Sequence, residues 1–464
     1  MINLRLYQAN DTAAIRTEFG RGHRAVLYVA PTGSGKTVLF SYIASEMARK
    51  GRRAWVLVHR QELLSQTSRT LRDFGIDHGL VSPQYTMDPR APLQVASIQT
   101  LVKRLGKLQA PEMMIIDEAH HCVSASYKAV INACPASKLL GVSATPERLD
   151  SRGLGEVFNT MVIGPTVREL TEMGFLAPAV CYAPPSLLDM TGVEKRGGDY
   201  AKDQMEKRVD EPTITGDAIS HYQRICPGAT AIAFCASVMH AEHVAAQFRD
   251  AGFRSASVDG SLDDRERKRR LDGLANGQLQ VLTSCDLISE GLDIVGVTAA
   301  ILLRPTQSLA LARQQIGRAL RPAPGKRAII LDHVGNLKHG LPTEEIAWSL
   351  EGGAAKKRGE ASKALSLRQC PKCYRTHLPS PTCPECGWAY EIASRTVKQV
   401  DGDLAEISEI ETFRAKAQRK KEIQAAKSLA DLQTLEKRYG YKRGWAFMQW
   451  KVRLQYQAKF ARKA

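Results

Sequence analysis

An apolar run, a glycine-rich loop and a helix-like stretch follow one another directly near the start of the chain. The run covers residues 25–30 and predicts a buried parallel strand, while residues 38–50 have the spacing of a helix. The loop reads Ala-Pro-Thr-Gly-Ser-Gly-Lys-Thr over residues 30–37. Its backbone N–H groups would point at a bound polyphosphate, at the positive end of the helix dipole. Because Ala30 stands where the strict pattern has its first glycine, a tight turn with a solvated lysine is the alternative.

A second apolar run ends in two carboxylates. Residues 113–116 predict a buried strand, and Asp117 and Glu118 follow it, 81 residues after Lys36. Lys36 would reach the β and γ phosphates of a nucleotide, and Asp117 would hold Mg²⁺ together with the Thr37 hydroxyl. Glu118 would orient and deprotonate the attacking water. The two segments together predict nucleoside triphosphate hydrolysis.

Two arginines complete the predicted catalytic set. Arg318 and Arg321 lie three residues apart in helix-like text, so their side chains project from one face. A guanidinium group keeps its charge at any working pH and binds phosphate oxygens through two donors at once. Both arginines are therefore candidates for the arginine finger that stabilises phosphoryl transfer.

The order of these segments resembles that of the superfamily 2 helicases and translocases, over residues 1–345. The resemblance implies catalysis by Lys36, Asp117, Glu118, Arg318 and Arg321. It implies nucleotide binding by Gln8, Thr32, Gly33, Ser34, Gly35, Lys36, Thr37, Gly291, Asp293 and Gln314, with Gln8 reading adenine. It implies coupling to nucleic acid through His120, Ser143 and Thr145, and backbone contacts through Arg60, Gln99 and Thr100. The alternatives at the last two groups are a buried histidine, a capped turn and a solvated strand end.

Two further segments, residues 174–178 and 330–336, resemble the branch that contains repair helicases and restriction translocases. The branch implies an ATP-dependent DNA helicase or translocase acting on single-stranded or duplex DNA. Two alternatives stay open: the motor subunit of a restriction or defence nuclease, and an RNA helicase or remodeller with a protein-docking tail. Outside the lobes we recognise no convincing nuclease motif, so a nuclease would be a partner chain.

The alternation of strand-like and helix-like text predicts an α/β protein with two RecA-like parallel-sheet lobes in tandem. A small zinc ribbon and a helical tail would follow them. The expected boundaries are residues 1–165 for the first lobe, 166–345 for the second, 346–369 for a charged linker, 370–390 for the ribbon and 391–464 for a basic helical module.

Four of the ten cysteines form two C-x-x-C pairs, and nine residues separate the pairs. This spacing brings four thiolates to tetrahedral positions around Zn²⁺ and leaves no open coordination site, which predicts a structural zinc centre. So short a segment buries little apolar surface, and the metal would supply its folding free energy. A disulfide pair is the redox alternative. We expect the ribbon to lie outside both lobes. The predicted ligands are Cys370, Cys373, Cys383 and Cys386.

The positive charge is concentrated after residue 350. Residues 351–464 hold 24 Lys and Arg against 12 Asp and Glu, whereas the first 350 residues hold 41 against 36. This excess favours a polyanionic partner for the tail, with a solvated helical face or a protein-docking surface as alternatives. No apolar run approaches the roughly 20 residues that span a bilayer, and no secretory signal is recognisable, so we expect a cytoplasmic protein without a membrane partner.

Overall fold

The computed structural model describes residues 3–148, 152–183, 193–196, 199–201, 204–205, 212–285, 296–351, 368–370, 372–373, 375–377, 380–390, 422–423, 425–426, 428–442 and 444–451. The chain divides into two compact units, Met1–Tyr390 and Glu391–Ala464. Among the described residues, no helix is both long enough and apolar enough to cross a bilayer.

The first lobe is built on a parallel sheet of seven strands in the order β3-β4-β2-β5-β6-β1-β7. Its central strands are buried on both faces, because helices cover each side. The strands are β1 (Ala25–Val29), β2 (Ala54–Val58), β3 (Gly79–Val81), β4 (Leu93–Ser97), β5 (Met113–Asp117), β6 (Lys138–Ser143) and β7 (Thr160–Ile163). The helices are α1 (Leu6–Gly20), α2 (Lys36–Arg49), α3 (Gln61–Asp73), α4 (Ile98–Val102) and α5 (Ala125–Ala133).

The second lobe has a sheet of eight strands in the order β12-β13-β11-β14-β15-β8-β17-β16, in which β16 is Arg368–Gln369 and β17 is Arg375–His377. Its first six strands are parallel. These six are β8 (Ala179–Tyr182), β11 (Ala231–Phe234), β12 (Ser255–Val258), β13 (Val281–Ser284), β14 (Ala299–Leu302) and β15 (Ala328–Asp332). The helices are α6 (Val167–Glu172), α7 (Pro212–Ile225), α8 (Val238–Asp250), α9 (Asp264–Ala275) and α10 (Leu309–Ala319). The two sheets confirm the predicted pair of RecA-like lobes.

A short antiparallel pair precedes α7 and packs on the second lobe. Its strands are β9 (Lys195–Arg196) and β10 (Asp199–Tyr200). The Asp199 carboxylate accepts hydrogen bonds from the Thr306 hydroxyl at 2.9 Å and from the Gln307 backbone N–H at 2.8 Å. The β9–β10 pair is therefore fastened to the loop that leads into α10.

The cysteine-rich segment is joined to the second sheet, which makes the expectation that it lies outside both lobes wrong. Its strands are β16 (Arg368–Gln369) and β17 (Arg375–His377), and β17 pairs antiparallel with β8. The Arg327 guanidinium donates to both carboxylate oxygens of Glu385, at 2.9 and 2.7 Å. The segment thus covers the edge of β8 that would otherwise expose unpaired backbone groups.

The chain also returns to the first lobe after leaving the second. Trp348 and Leu350 pack against the apolar cluster on one face of the first sheet, and the Gly155 N–H donates to the Leu350 carbonyl at 2.8 Å. We call residues 341–351 the strap, because they contact α10 of the second lobe near one end and this cluster of the first lobe near the other.

The second unit contains a helix, α11 (Leu429–Arg438), and a small apolar core around Leu432, Leu435 and Ala446. Trp445 and Trp450 pack against this core, whereas Phe447 and Met448 are exposed. Helices at the end of the chain are as predicted. Within the predicted basic helical module, residues 391–421 and 452–464 lie outside the described residues.

The packing of β6 generates a stability prediction. A Cβ atom on Gly141 would overlap the fully buried ring of Phe158 and lie 3.0 Å from the Ala119 Cβ. Gly141→Ala should therefore destabilise the first lobe by about 1–3 kcal/mol, the usual effect of overpacking a core. The measurement is the thermal unfolding midpoint, compared with Gly106→Ala, whose added Cβ meets nothing within 4 Å. Equal midpoints for the two variants would contradict the packing described here.

Candidate functional site: a cleft between the two lobes

The glycine-rich loop joins β1 to α2 at the carboxyl edge of the first sheet. Gly33 and Gly35 have φ values of 89° and 78°, which only glycine adopts at low cost. A Cβ on Gly35 would also lie 2.6 Å from the Gln8 amide nitrogen. Ala30 does not have a positive φ, since Glu118 is the one non-glycine residue that does in the described part of the chain. An alanine in place of the glycine of the strict pattern therefore introduces no backbone strain at that position.

Helix α1 holds the loop from one side. The Tyr7 hydroxyl donates to the Ser34 carbonyl at 2.5 Å, and the Gln8 amide donates to the Gly35 carbonyl at 3.2 Å. The Gln8 side-chain oxygen accepts from the Arg5 backbone N–H at 2.9 Å. Gln8 is 2% exposed, so its contacts in this structure are with the loop and the helix start. Its predicted contact with adenine stays a prediction.

An aromatic residue of the second lobe lies beside this contact. The Arg5 guanidinium carbon is 4.1 Å from the centre of the Phe175 ring, and the Tyr7 ring centre is 5.5 Å from it. The sequence predicted no role for Arg5 or Phe175. The available signal for Phe175 was its place in the segment 174–178, which resembles the branch of repair helicases and restriction translocases.

Lys36 and the two carboxylates lie close together beneath the loop. The Lys36 ammonium donates to the carbonyls of Ala30 and Pro31, at 3.0 and 3.1 Å. Burial lowers the pKa of Lys36, and the carboxylates of Glu118 and Asp117 oppose that shift. Burial and the neighbouring Glu118 charge raise the pKa of Asp117 to about 7. A cation placed here would offset this concentration of negative charge.

Glu118 is held in an unusual backbone conformation. Its φ and ψ are 49° and 58°, in the left-handed region, which costs a non-glycine residue roughly 1 kcal/mol or more. Its N–H donates to the Asp117 carboxylate at 3.0 Å. A short 3-10 turn, Ala119–His121, begins directly after it. Strain of this kind is concentrated at functional sites.

Helix α10 of the second lobe approaches the loop from across the cleft. A Cβ on Gly317 would lie 2.6 Å from the Thr32 Cβ, so only glycine allows this approach without displacement. Gln314 and Arg318 are buried on the same helix. The charges of Arg318 and Arg321 are close enough to lower the pKa of Lys36 further, after the larger effect of burial. Gly291 and Asp293, the other predicted nucleotide contacts, lie outside the described residues.

The strap binds α10 through a residue that the sequence analysis did not single out. The Arg313 guanidinium donates to the carbonyls of Pro342 and Glu344, the second at 3.3 Å. Burial lowers the pKa of Arg313, and the Glu344 carboxylate opposes this shift. Arg313 has no motif of its own in the sequence, so only the fold shows its contacts.

The predicted coupling residues lie between the loop and the carboxylates. Ser143 ends β6, and its carbonyl accepts from the Ala30 N–H at 3.1 Å. The Thr145 N–H donates to the Ser143 hydroxyl at 3.3 Å, and both residues are buried. The His120 Nδ1 atom is 3.4 Å from the Glu118 carboxylate.

The predicted nucleic-acid contacts lie further along the same edge. Arg60 and Gln99 follow β2 and β4, which are adjacent strands, and the Gln99 amide donates to the His59 carbonyl at 3.1 Å. Thr100 is 8% exposed, so little of its surface faces solvent. Nearby, Glu62 of the first lobe and Arg267 of the second form an ion pair at 2.6 Å.

The four predicted zinc ligands are brought together by the cysteine-rich segment. Their sulfur atoms all lie within 4.8 Å of one another, and the pairs Cys370–Cys386 and Cys373–Cys383 are 3.6 Å apart. Tetrahedral zinc thiolate requires sulfur atoms about 3.8 Å apart, given metal–sulfur bonds of about 2.3 Å. The donor set therefore fits zinc in both chemistry and spacing.

Two family profiles match the chain. Residues 1–148 match the family described as the type III restriction enzyme res subunit, and residues 217–323 match the helicase conserved C-terminal domain. The carboxylates and the predicted arginines fall within these matches.

Relatives agree with these profiles. A 51.5 kDa protein of a Lactococcus phage is 33% identical over 373 residues, which cover 80% of this chain and 79% of the phage protein. The putative ATP-dependent helicase IRC3 of Saccharomyces cerevisiae is 28% identical over 73% of this chain. The chain spans 52% of the yeast protein's length.

Solved structures show the same fold. A fragment of a putative HsdR subunit of a type I restriction enzyme from Vibrio vulnificus has a TM-score of 0.57 and 20% identity, covering 73% of this chain and 66% of that one. The type ISP restriction-modification enzyme LlaBIII bound to DNA has a TM-score of 0.53 and 18% identity, covering 71% and 27%. With the profile matches and the phage relative, the chain belongs to the superfamily 2 helicases and translocases, the ATP-hydrolysing family that includes ATP-dependent helicases and restriction-enzyme motor subunits.

Proposed function

We propose that this chain is an ATP-dependent DNA helicase or translocase that hydrolyses ATP in the cleft between its lobes. One observation carries the proposal: Arg318 of α10 and Arg321 just beyond its end lie close enough to Lys36 to affect its pKa, as do the carboxylates of Asp117 and Glu118. The proposed lobes are residues 1–165 and 166–345, followed by the linker 346–369, the ribbon 370–390 and the basic module 391–464.

Each side chain of the cleft has a proposed role. Lys36 binds the terminal phosphates in place of the carbonyls that it now contacts, and the backbone N–H groups of residues 33–37 surround the phosphate oxygens. Thr37 and Asp117 would hold Mg²⁺, which would neutralise charge on the phosphates. Glu118 accepts a proton from the attacking water. Arg318 and Arg321 stabilise the negative charge that develops on the transferred phosphoryl group.

Thr32, Gly33, Ser34 and Gly35 shape the phosphate site, and Gln8, Gly291, Asp293 and Gln314 contribute nucleotide contacts. Because the arginines and the carboxylates belong to different lobes, hydrolysis requires the cleft to be closed. Release of phosphate then allows the cleft to open. A nucleic-acid strand that is bound by Arg60, Gln99 and Thr100 on one lobe is advanced when the lobes separate. His120, Ser143 and Thr145 couple the state of the bound phosphates to the binding of that strand.

The nucleic acid that we propose is DNA. The type I restriction enzyme EcoAI endonuclease subunit of Escherichia coli is 24% identical over 68% of this chain, and the LlaBIII structure is described as bound to DNA. The same matches favour the second candidate, a motor subunit that works with a nuclease chain. An RNA substrate is the competing outcome, since Dbp5 of Saccharomyces cerevisiae, which shares the fold at 16% identity, is described as bound to RNA.

ATPase rates measured with single-stranded DNA, duplex DNA and RNA distinguish these candidates. We expect DNA to stimulate turnover and RNA to have little effect. Stimulation by RNA alone would exclude the DNA assignment, and no stimulation by any nucleic acid would refute the proposed function.

The first prediction concerns the cleft itself. Lys36→Ala should abolish ATP turnover, because it removes a phosphate ligand, and Glu118→Gln should keep ATP binding while blocking hydrolysis. Turnover and nucleotide binding are measured separately. Lys50→Ala is the control, since Lys50 directly follows α2 at the end away from the loop and is exposed. Turnover that survives the Lys36 change would refute the assignment of the site.

The second prediction concerns closure of the cleft. A side chain at residue 317 would push α10 away from Thr32, so Gly317→Ala should lower kcat by about tenfold or more and leave ATP affinity within about threefold, because a displacement of about 1 Å is costly in catalysis. The control is Gly273→Ala in α9, where the added Cβ would make ordinary contacts of 3.4 Å. An unchanged kcat would show that the lobes do not close along this contact.

The third prediction concerns the cysteines. We propose that Cys370, Cys373, Cys383 and Cys386 bind one structural zinc ion, so the purified protein should contain about one zinc per chain by elemental analysis. Cys370→Ser should lower that content and also lower the unfolding midpoint of the second lobe, because β17 covers β8. Cys285→Ser, a half-buried thiol of the same lobe, is the control. Freshly purified, unchelated protein without zinc would contradict the assignment.

A further inference from the structure

Three histidine rings are stacked at the carboxyl edge of the first sheet. The ring centres of His59 and His121 are 4.1 Å apart, and those of His121 and His120 are also 4.1 Å apart, with the ring planes tilted by 46° and 42°. His59 follows β2, while the other two belong to the 3-10 turn after β5, the neighbouring strand. His121 therefore lies between a ring on each of two adjacent strand ends. We call these three residues the histidine stack.

One end of the histidine stack meets the hydrolytic carboxylate. His120 Nδ1 is 3.4 Å from the Glu118 side chain, and the His120 side chain is 2% exposed. The His121 N–H donates to the Glu118 carbonyl at 3.0 Å. Because the 3-10 turn starts directly after the strained backbone of Glu118, a rotation there would move both rings together.

The other end meets the residues proposed to hold nucleic acid. The His59 carbonyl accepts the hydrogen bond from Gln99, and the Arg60 guanidinium donates to the His59 ring nitrogen Nε2 at 3.3 Å. Arg60 also stands at the start of α3. A displacement of the His59 ring would thus change the position of Arg60.

We propose that His121 is a positioning residue that couples the nucleotide state at Glu118 to the grip of Arg60 and Gln99 on nucleic acid. This inference rests on the proposed function and deepens it. His120 is buried, and His59 and His121 are half-buried. Rings in contact transmit displacement where close packing leaves no space in which a small shift is absorbed. When Glu118 changes position with the γ phosphate, His120 and His121 move with it, and His59 must follow.

A purely structural role makes a different prediction. If the histidine stack only packs the sheet edge, replacing His121 would change the stability of the protein. The effect of the bound nucleotide on DNA affinity would then stay as it is in the wild type. The coupling between sites is a free energy, and it is read from the ratio of DNA affinities in the presence of a non-hydrolysable ATP analogue and of ADP. Because the coupling is reciprocal, DNA must change the ratio of the affinities for the ATP analogue and ADP by the same factor.

The experiment measures that ratio in the full-length protein with a labelled single strand that stimulates the wild-type ATPase. We expect His121→Ala to reduce the ratio by about fivefold or more, the lower end of ordinary allosteric coupling. His121→Phe retains a ring between the neighbours and should keep most of the ratio. Nucleotide affinity without DNA should stay within about twofold in both variants. His23→Ala is the matched control, since His23 precedes β1 at the opposite edge of the same sheet and lies 3.4 Å from Glu18.

Two results would overturn the inference: a wild-type ratio in His121→Ala, or an equal loss in His121→Phe and His121→Ala. If His121→Ala does not fold, the pair His59→Ala and His59→Phe tests the same contact from its other side. Failure of the proposed function is distinguishable, because the wild-type protein would then show no ATPase stimulation by nucleic acid. A stimulated wild-type enzyme with unaltered coupling in the variants refutes the inference alone.

Discussion

The contact between Gly317 and Thr32 is the constraint on which the rest of the cleft depends. Any side chain at residue 317 would displace α10, and with it the two arginines that follow in the same helix turn and just beyond it. The strap works in the same direction, because it binds Arg313 on that helix and ends against the core of the first lobe. Two separate features thus keep the second lobe close to the phosphate loop. Gly317 allows the close approach because it has no side chain, and the strap stabilises it through hydrogen bonds and apolar packing.

A parallel sheet explains why so many functional positions lie together. The segments after β1, β2, β4, β5 and β6 all leave the same edge, since every strand of the first sheet runs in one direction. The phosphate loop, Arg60, Gln99 and the carboxylates are therefore neighbours, although up to 87 residues of sequence separate them, between residues 30 and 117. Crevices at the carboxyl ends of such strands are the usual binding sites of open α/β sheets. Short side-chain contacts, such as those of the histidine stack, can then connect two sites without any dedicated element.

The sequence predicted the parts of this site that depend on local chain chemistry. The glycines at residues 33 and 35, the carboxylates after an apolar run and the paired cysteines each have a physical signature over a few residues, and the fold brings the four cysteines together as predicted. Contacts between distant residues had no such signature. Arg313, which binds the strap, lies in no recognisable pattern. Glu385 lies inside a C-x-x-C pair, but that spacing carries no information about its contact with Arg327. The edge pairing of β17 with β8 was missed because two- and three-residue strands are too short to show alternation.

The strained backbone of Glu118 connects the chemistry of the cleft to the coupling between sites. A left-handed conformation at a residue with a side chain persists only where the surroundings enforce it, and here the Asp117 carboxylate and the following 3-10 turn do so. The same residue both carries the proposed base and begins the turn that bears His120 and His121. A change in the charge or ligands of the carboxylates acts on the torsions of that residue, which joins β5 to the turn. The residue proposed to activate water is therefore also the residue from which a displacement would reach His59 and the residues proposed to hold nucleic acid.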